Sequence, residues 1–140
     1  MSISIQHHFE LSDSDFEAQF ANCTLDAKLF THEAHIRLAW ILIQKHGIRL
    51  AEEKIQEQIK DFVKSVGALD KYNTTLTIAA IRIVNCFMQK SNSESFKDFI
   101  VDFPKLKTDF KSLIKSHYSI DVFTSDKAKK EFLAPDLLPL

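Results

Sequence analysis

The stretch Thr31-His32-Glu33-Ala34-His35-Ile36-Arg37-Leu38-Ala39-Trp40-Ile41-Leu42-Ile43-Gln44-Lys45-His46-Gly47 decides the fold class of this 140-residue chain. Thr31 carries the short hydroxyl side chain of an N-cap, and Gly47 is the residue type that most readily ends a helix in a positive-φ conformation. No helix breaker lies between them. Apolar residues fill most of the positions, so the stretch predicts a central, largely buried helix from His32 to His46. At about 100° per residue, Glu33, Arg37 and Gln44 share one narrow stripe. That stripe is read as the solvent side, with Glu33 and Arg37 forming an i,i+4 ion pair. His32 and His35 fall on the opposite side, in line with Ala39 and Leu42.

The same signals recur on both flanks. Upstream, Ser12 caps a first helix from about Asp13 to Asn22, and Leu11 and Phe16 take the hydrophobic-staple positions. Downstream, a third helix covers about Leu50 to Val66, with Ile55, Ile59, Phe62 and Val66 as its apolar stripe and Gly67 as its stop. A fourth helix runs from about Asp70–Asn73 to Gln89. Its inward face is read as Asn73, Leu76, Thr77, Ala80, Val84 and Phe87, and its wetter side as Thr74, Thr75, Ile78, Arg82, Asn85 and Gln89. Ser93 is the candidate cap of a fifth helix carrying Phe96, Phe99, Ile100 and Phe103. A sixth segment spans about Leu106 to Ser116. Ser125 opens a last short helix that Pro135 must stop, and the apolar tail from Pro135 to Leu140 is expected to pack down as extended chain.

Composition agrees. Only 2 Gly and 3 Pro leave too few turn residues for an all-β fold, and no two glycines lie close enough for a phosphate-binding loop. Hydrophobic residues make up 45% of the chain, including 12 Phe, which is ample for one core. No repeat or linker interrupts it. The expectation is a single all-α domain over residues 1–140, an irregular bundle of about six or seven helices.

Charge and cysteine content narrow the partners. Lys+Arg number 18 against 19 Asp+Glu, a net charge of -1 with interleaved signs, which argues against nucleic acid. The longest apolar run, Leu38 to Ile43, falls far short of the roughly 20 residues that cross a bilayer. Met1 to Glu10 lacks a basic stretch followed by an apolar one, so no secretory leader is expected. Cys23 and Cys86 have no metal-ligand spacing and are read as reduced core thiols, with the cytoplasm as the default location.

One constellation carries chemistry. In an up-down bundle the second and fourth helices run in the same direction, so their N-termini share one end of the domain. His32 and His35 then converge there with Tyr72, Asn73 and Thr77, where free helix N–H groups favour an anion. The expected function is a small-molecule site in which His32 and His35 are the acid–base groups and Tyr72, Asn73 and Thr77 orient the ligand. A divalent metal on the histidine pair is the cofactor such a site would take, and His117 is an outside candidate. If the site is catalytic, proton transfer or metal-assisted chemistry is the class, because no activated Ser or Cys nucleophile is evident. His-Glu-Ala-His is not the zinc-protease motif, whose histidines stand at i,i+4. The competing reading is a non-catalytic or homodimerising helical module. In it His35 completes a hydrophobic staple with Phe30, and the Phe-rich fifth helix and apolar tail meet a partner.

The run from Phe30 to Trp40 also resembles a group of small bacterial proteins of unknown function. Their shared pattern is Phe-x-His-x-x-His-Leu-Arg-Leu-Ala-Trp. Lys71-Tyr72, Tyr118-Ser119 and Pro135-Asp136-Leu137 extend the likeness to the C-terminus, leaving the first helix uncovered. The resemblance implies no established activity. Where that group often carries Tyr-His-Glu-Thr, this chain has Tyr72-Asn73-Thr74-Thr75, so a His-Glu pair that would complete a metal or acid–base set is missing.

Overall fold

A computed structural model describes residues 4–140, and all their regular secondary structure is helical. Eight α-helices occur among the described residues: α1 (Asp13–Ala21), α2 (His32–His46), α3 (Ile48–Ser65), α4 (Thr74–Met88), α5 (Phe96–Asp102), α6 (Lys105–Thr108), α7 (Phe110–Lys115) and α8 (Asp126–Lys130). Short 3₁₀ turns at His8–Glu10, Ala27–Leu29 and Leu69–Lys71 lead into α1, α2 and α4. The side chains of Ser12, Thr31, Asn73, Ser95 and Ser125 each accept a hydrogen bond from the backbone N–H three residues on, which satisfies an otherwise orphaned donor in the first turn. Ser95 therefore caps α5 in place of Ser93, whose hydroxyl bonds Asp102 instead. The expected sixth segment is two helices, broken at Asp109, whose φ of -142° is not helical.

A single residue joins α2 to α3. Gly47 ends α2 through its N–H on the Ile43 carbonyl and opens α3 by accepting from the Ala51 N–H. Its φ of 79° and ψ of 162° lie in a region essentially reserved for glycine, so the joint depends on backbone freedom. The helix directions follow from side-chain contacts. Phe62, late in α3, stacks on Phe20 at 4.6 Å and packs against Phe30 at 5.4 Å, just before α2. Lys60 lies 5.1 Å over the Tyr72 ring ahead of α4, whereas Glu52, early in α3, pairs with Arg82, late in α4, at 2.5 Å. So α3 is antiparallel to both neighbours, and α2 and α4 run in the same direction.

The core sits between these three helices, α1 and α5. Phe16, Phe20, Ile36, Leu38, Leu42, Ile55, Ile81 and Phe99 are almost completely enclosed. The C-terminal segment closes over α4 and changes the expected face of that helix. Thr75 and Ile78, placed on the wetter side by periodicity, are 0% and 7% exposed. Thr75 tolerates burial because its hydroxyl donates to the Glu131 carbonyl and accepts from the Leu133 N–H, holding the chain after α8 in place. The thiols also depart from expectation. Cys86 lies on the surface and Cys23 is only partly buried, at a φ of 59°, because α1 ends there in a tight turn. Among the described residues, no helix is long and apolar enough to cross a membrane.

Candidate functional site

The first turn of α2 is the polar centre of the molecule, although not on the face that periodicity suggests. Glu33 and Arg37 are buried, at 7% and 4% exposure, and they do not pair with each other. The segment from Gln6 to Leu11 lies across their stripe and takes the place of solvent. Arg37 uses every donor of its guanidinium there. Nη1 donates to the His8 carbonyl at 2.7 Å and meets His8 Nδ1 at 3.3 Å; Nη2 donates to the Leu11 carbonyl at 2.9 Å. Nε and Nη2 both reach Asp13 Oδ1, at 3.2 and 2.8 Å. The rings of Phe16 and Phe9 flank the cation at 4.8 and 5.6 Å. An arginine can be enclosed here because all five N–H groups are matched.

Glu33 is wired just as completely. His8 Nε2 lies 2.8 Å from Oε1, His7 Nε2 3.6 Å from the same oxygen, and Lys107 Nζ 3.0 Å from Oε2. Burial would raise the carboxyl, but the His8 hydrogen bond and the Lys107 ammonium prevail and hold it below its usual range. His7, His8 and Glu33 are the one group of metal-ligand types gathered within 4.8 Å of one another among the described residues. The hydrogen bonds favour tautomers that point N–H at Glu33. His7 Nδ1 accepts the Phe9 N–H at 3.1 Å, so its lone pair is in use and Nε2 carries the proton. His8 Nδ1 faces an arginine donor and its Nε2 faces an ionised carboxylate, which again places the proton on Nε2. A metal on either Nε2 would have to displace a proton that points at Glu33, and it would compete there with the Lys107 ammonium. The cluster is a carboxylate surrounded by donors.

On the other side of the turn, His32 has the arrangement the cluster lacks. Its Nε2 donates to the Leu106 carbonyl at 2.9 Å, which fixes the tautomer and leaves the Nδ1 lone pair without a partner among the described residues. The exposed ring packs on Phe110 at 5.0 Å and lines a cleft of about 310 Å³ with Lys107, Thr108, Asp109, Lys111 and Phe123. A second cleft of about 310 Å³ lies on the Glu33 side, bounded by Phe9, Lys97, Ile100 and Pro104. Lys107 and Thr108 line both clefts and form the partition between them.

The remaining predicted site residues separate from this furrow. His35 does not line either cleft; it packs against Phe30 at 5.5 Å, and its Nε2 is shut off from solvent without a partner among the described residues. Burial, with a smaller contribution from the neighbouring His32, pulls its pKa down to about 4. Tyr72 Oη is likewise enclosed without a partner among the described residues, and burial pushes the phenol up. Asn73 caps α4 through its Oδ1 and donates from Nδ2 to the Val122 carbonyl at 2.7 Å, while the Thr77 hydroxyl bonds the Asn73 carbonyl at 2.8 Å. Both are committed to the backbone. His117 anchors the tail, its Nδ1 donating to the Leu138 carbonyl at 2.9 Å. Tyr118-Ser119 and Pro135-Asp136-Leu137 meet in space: both Ser119 donors reach the Asp136 carboxylate, which they hold below its usual range.

Lys107, Lys111 and Phe123 carry no site signal in the sequence, and Phe110, which reads there as a core residue of the sixth segment, is only partly buried. They come to His32 from α6, α7 and the loop after it, and no local pattern signals a contact so distant along the chain. The chain matches no protein-family model, no curated protein and no solved structure.

Proposed function

We propose that this chain binds a small organic anion in the cleft around His32, with His32 as the proton-accepting group. The observation that carries this reading is the His32–Leu106 hydrogen bond, which holds the ring with Nε2 committed and Nδ1 without a partner among the described residues. Lys107 and Lys111 supply positive charge for a carboxylate or phosphate, and Phe110 and Phe123 supply an apolar wall for the body of the ligand. His35, Tyr72, Asn73 and Thr77 support the wall of the bundle behind it without touching the ligand. The two free thiols fit a reducing compartment, the cytoplasm.

Titration with benzoate and with inorganic phosphate, followed by amide NMR, tests the proposal. Saturable shifts of His32, Thr108, Phe110 and Lys111, weakened about tenfold in both Lys111→Ala and His32→Ala, are expected. Shifts that stay linear with concentration, or that survive both substitutions, would sink it. A self-associating module is the second reading. The phenylalanines of α5 do not favour it, since Phe96 and Phe99 are in the core, but Leu137 and Leu138 remain 56% and 55% exposed. Sedimentation of the wild type against Leu137→Ser decides it, a strictly monomeric wild type being the negative result.

A further inference from the structure

His8 is a titratable ring enclosed at 1% exposure, and the cleft proposal does not use it. It sits at the centre of the segment that covers the polar stripe of α2. Its carbonyl and ring are both held by Arg37, its Nε2 by Glu33, and its faces by Phe9 at 4.3 Å, His7 at 4.6 Å and Phe16 of α1 at 5.9 Å. The charged groups around it come from every neighbouring element. Glu33 and Arg37 belong to α2, and Asp13 of α1 pairs with Arg37. Lys107 of α6 pairs with Glu33, and Lys97 of α5 lies 6.0 Å over the Phe9 ring. Within the segment itself, Glu10 accepts the Gln6 and His7 amides.

We infer that residues 4–11 form an acid-released latch, in which a proton on His8 Nδ1 breaks the contact with Arg37 and frees the segment from α2. The geometry gives the reason. A neutral His8 is donor at one nitrogen and acceptor at the other, which matches a carboxylate on one side and a guanidinium on the other. A proton on Nδ1 turns an attraction 3.3 Å long into N–H facing N–H, between two side chains that are both buried. Arg37 cannot retreat, because its other donors hold Asp13 and two carbonyls. The ring with its carbonyl is therefore what moves. Consistent with this, enclosure lowers the affinity of His8 for a proton despite the nearby Glu33. Leaving the pocket restores hydration to the charged ring, uncovers Glu33 and Arg37, and removes the Phe9 wall of the second cleft. The latch does not depend on what binds beside His32.

Amide hydrogen exchange, corrected for the intrinsic rate at each pH, tests it. Between about pH 7.5 and pH 5, protection at the Glu10 and Leu11 amides should fall about tenfold or more, while Ile41 to Ile43 of α2 hold theirs. His8→Gln keeps a donor toward Glu33 and does not titrate, so its segment should stay protected at the lower pH. In the wild type, the loss of protection should share its midpoint with the titration of the His8 ring followed by NMR, a readout that needs no variant. Unchanged protection at the lower pH would overturn the inference. So would an equal loss in His8→Gln, an equal loss throughout α2, or a midpoint that follows a different histidine.

Discussion

His8 and His32 flank the same first turn of α2, and they are used in opposite ways. His8 is enclosed, with both ring nitrogens committed to charged partners. His32 is exposed, with one nitrogen on a backbone carbonyl and the other without a partner among the described residues. The cluster richer in histidine and carboxylate is thus the structural one, and the single histidine beside it is the better candidate for chemistry. What marks a site is an available lone pair held in a fixed orientation, rather than the density of ionisable groups.

The contrast can be broken at several points. The largest effect belongs to Arg37. Arg37→Ala should lower stability by about 3–5 kcal/mol in urea unfolding, because it leaves the buried His8 and Leu11 carbonyls and His8 Nδ1 without their donor. Arg37→Lys should recover only part, since an ammonium offers three donors where five are used. A loss under about 1 kcal/mol for Arg37→Ala would mean that the His8 side is ordinary surface.

Next in size is a pH effect from His35. Its pKa falls from 6.5 unfolded to about 4 folded, so the folded state resists protonation. The associated stability is fully present above 6.5, is lost progressively as pH drops toward 4, and changes no further below that, in total about 3 kcal/mol. His8 acts with the same sign. Replacement of His35 by Leu should flatten most of this slope in thermal melts recorded across the range. A slope unchanged in His35→Leu would show that the ring is solvated in the folded state.

Smaller effects test the His32 side. His32→Ala should change stability by about 1 kcal/mol or less, because the exposed ring makes a single hydrogen bond. A larger loss would make His32 structural and erase the distinction from His8. The smallest effect expected is that of zinc. With both Nε2 protons aimed at Glu33, equimolar zinc should move the Tm by less than about 1 °C near neutral pH. A clear rise abolished by His8→Ala would show that the cluster can rewire around a metal.

Helix positions were readable from the chain because their determinants are local. Thr31 caps α2 and Gly47 ends it at the expected residues; Ser12 and Ser125 do the same work for α1 and α8. The shared direction of α2 and α4 followed from counting helices between them. Faces were another matter. Glu33 and Arg37 look like a solvent stripe in any helical projection, since periodicity records which residues differ in polarity and not what lies opposite them. Residues 4–11 supply carbonyls and a histidine ring at that stripe, and a polar surface matched by polar partners is as well buried as an apolar one. Thr75 misled in the same way, its hydroxyl satisfied by the chain after α8.

The candidate site divides along the same line. His32 was visible in the sequence as a polar residue at a helix N-terminus, whereas its carbonyl partner Leu106 and its neighbours Lys107, Lys111 and Phe123 are joined to it only by folding. Caps, stops and apolar spacing act within a few residues, so the sequence by itself determined an all-helical chain and where most of its helices begin and end. Which groups the ring nitrogens of His8 and His32 face depends on residues far away along the chain, and only the tertiary structure decided it.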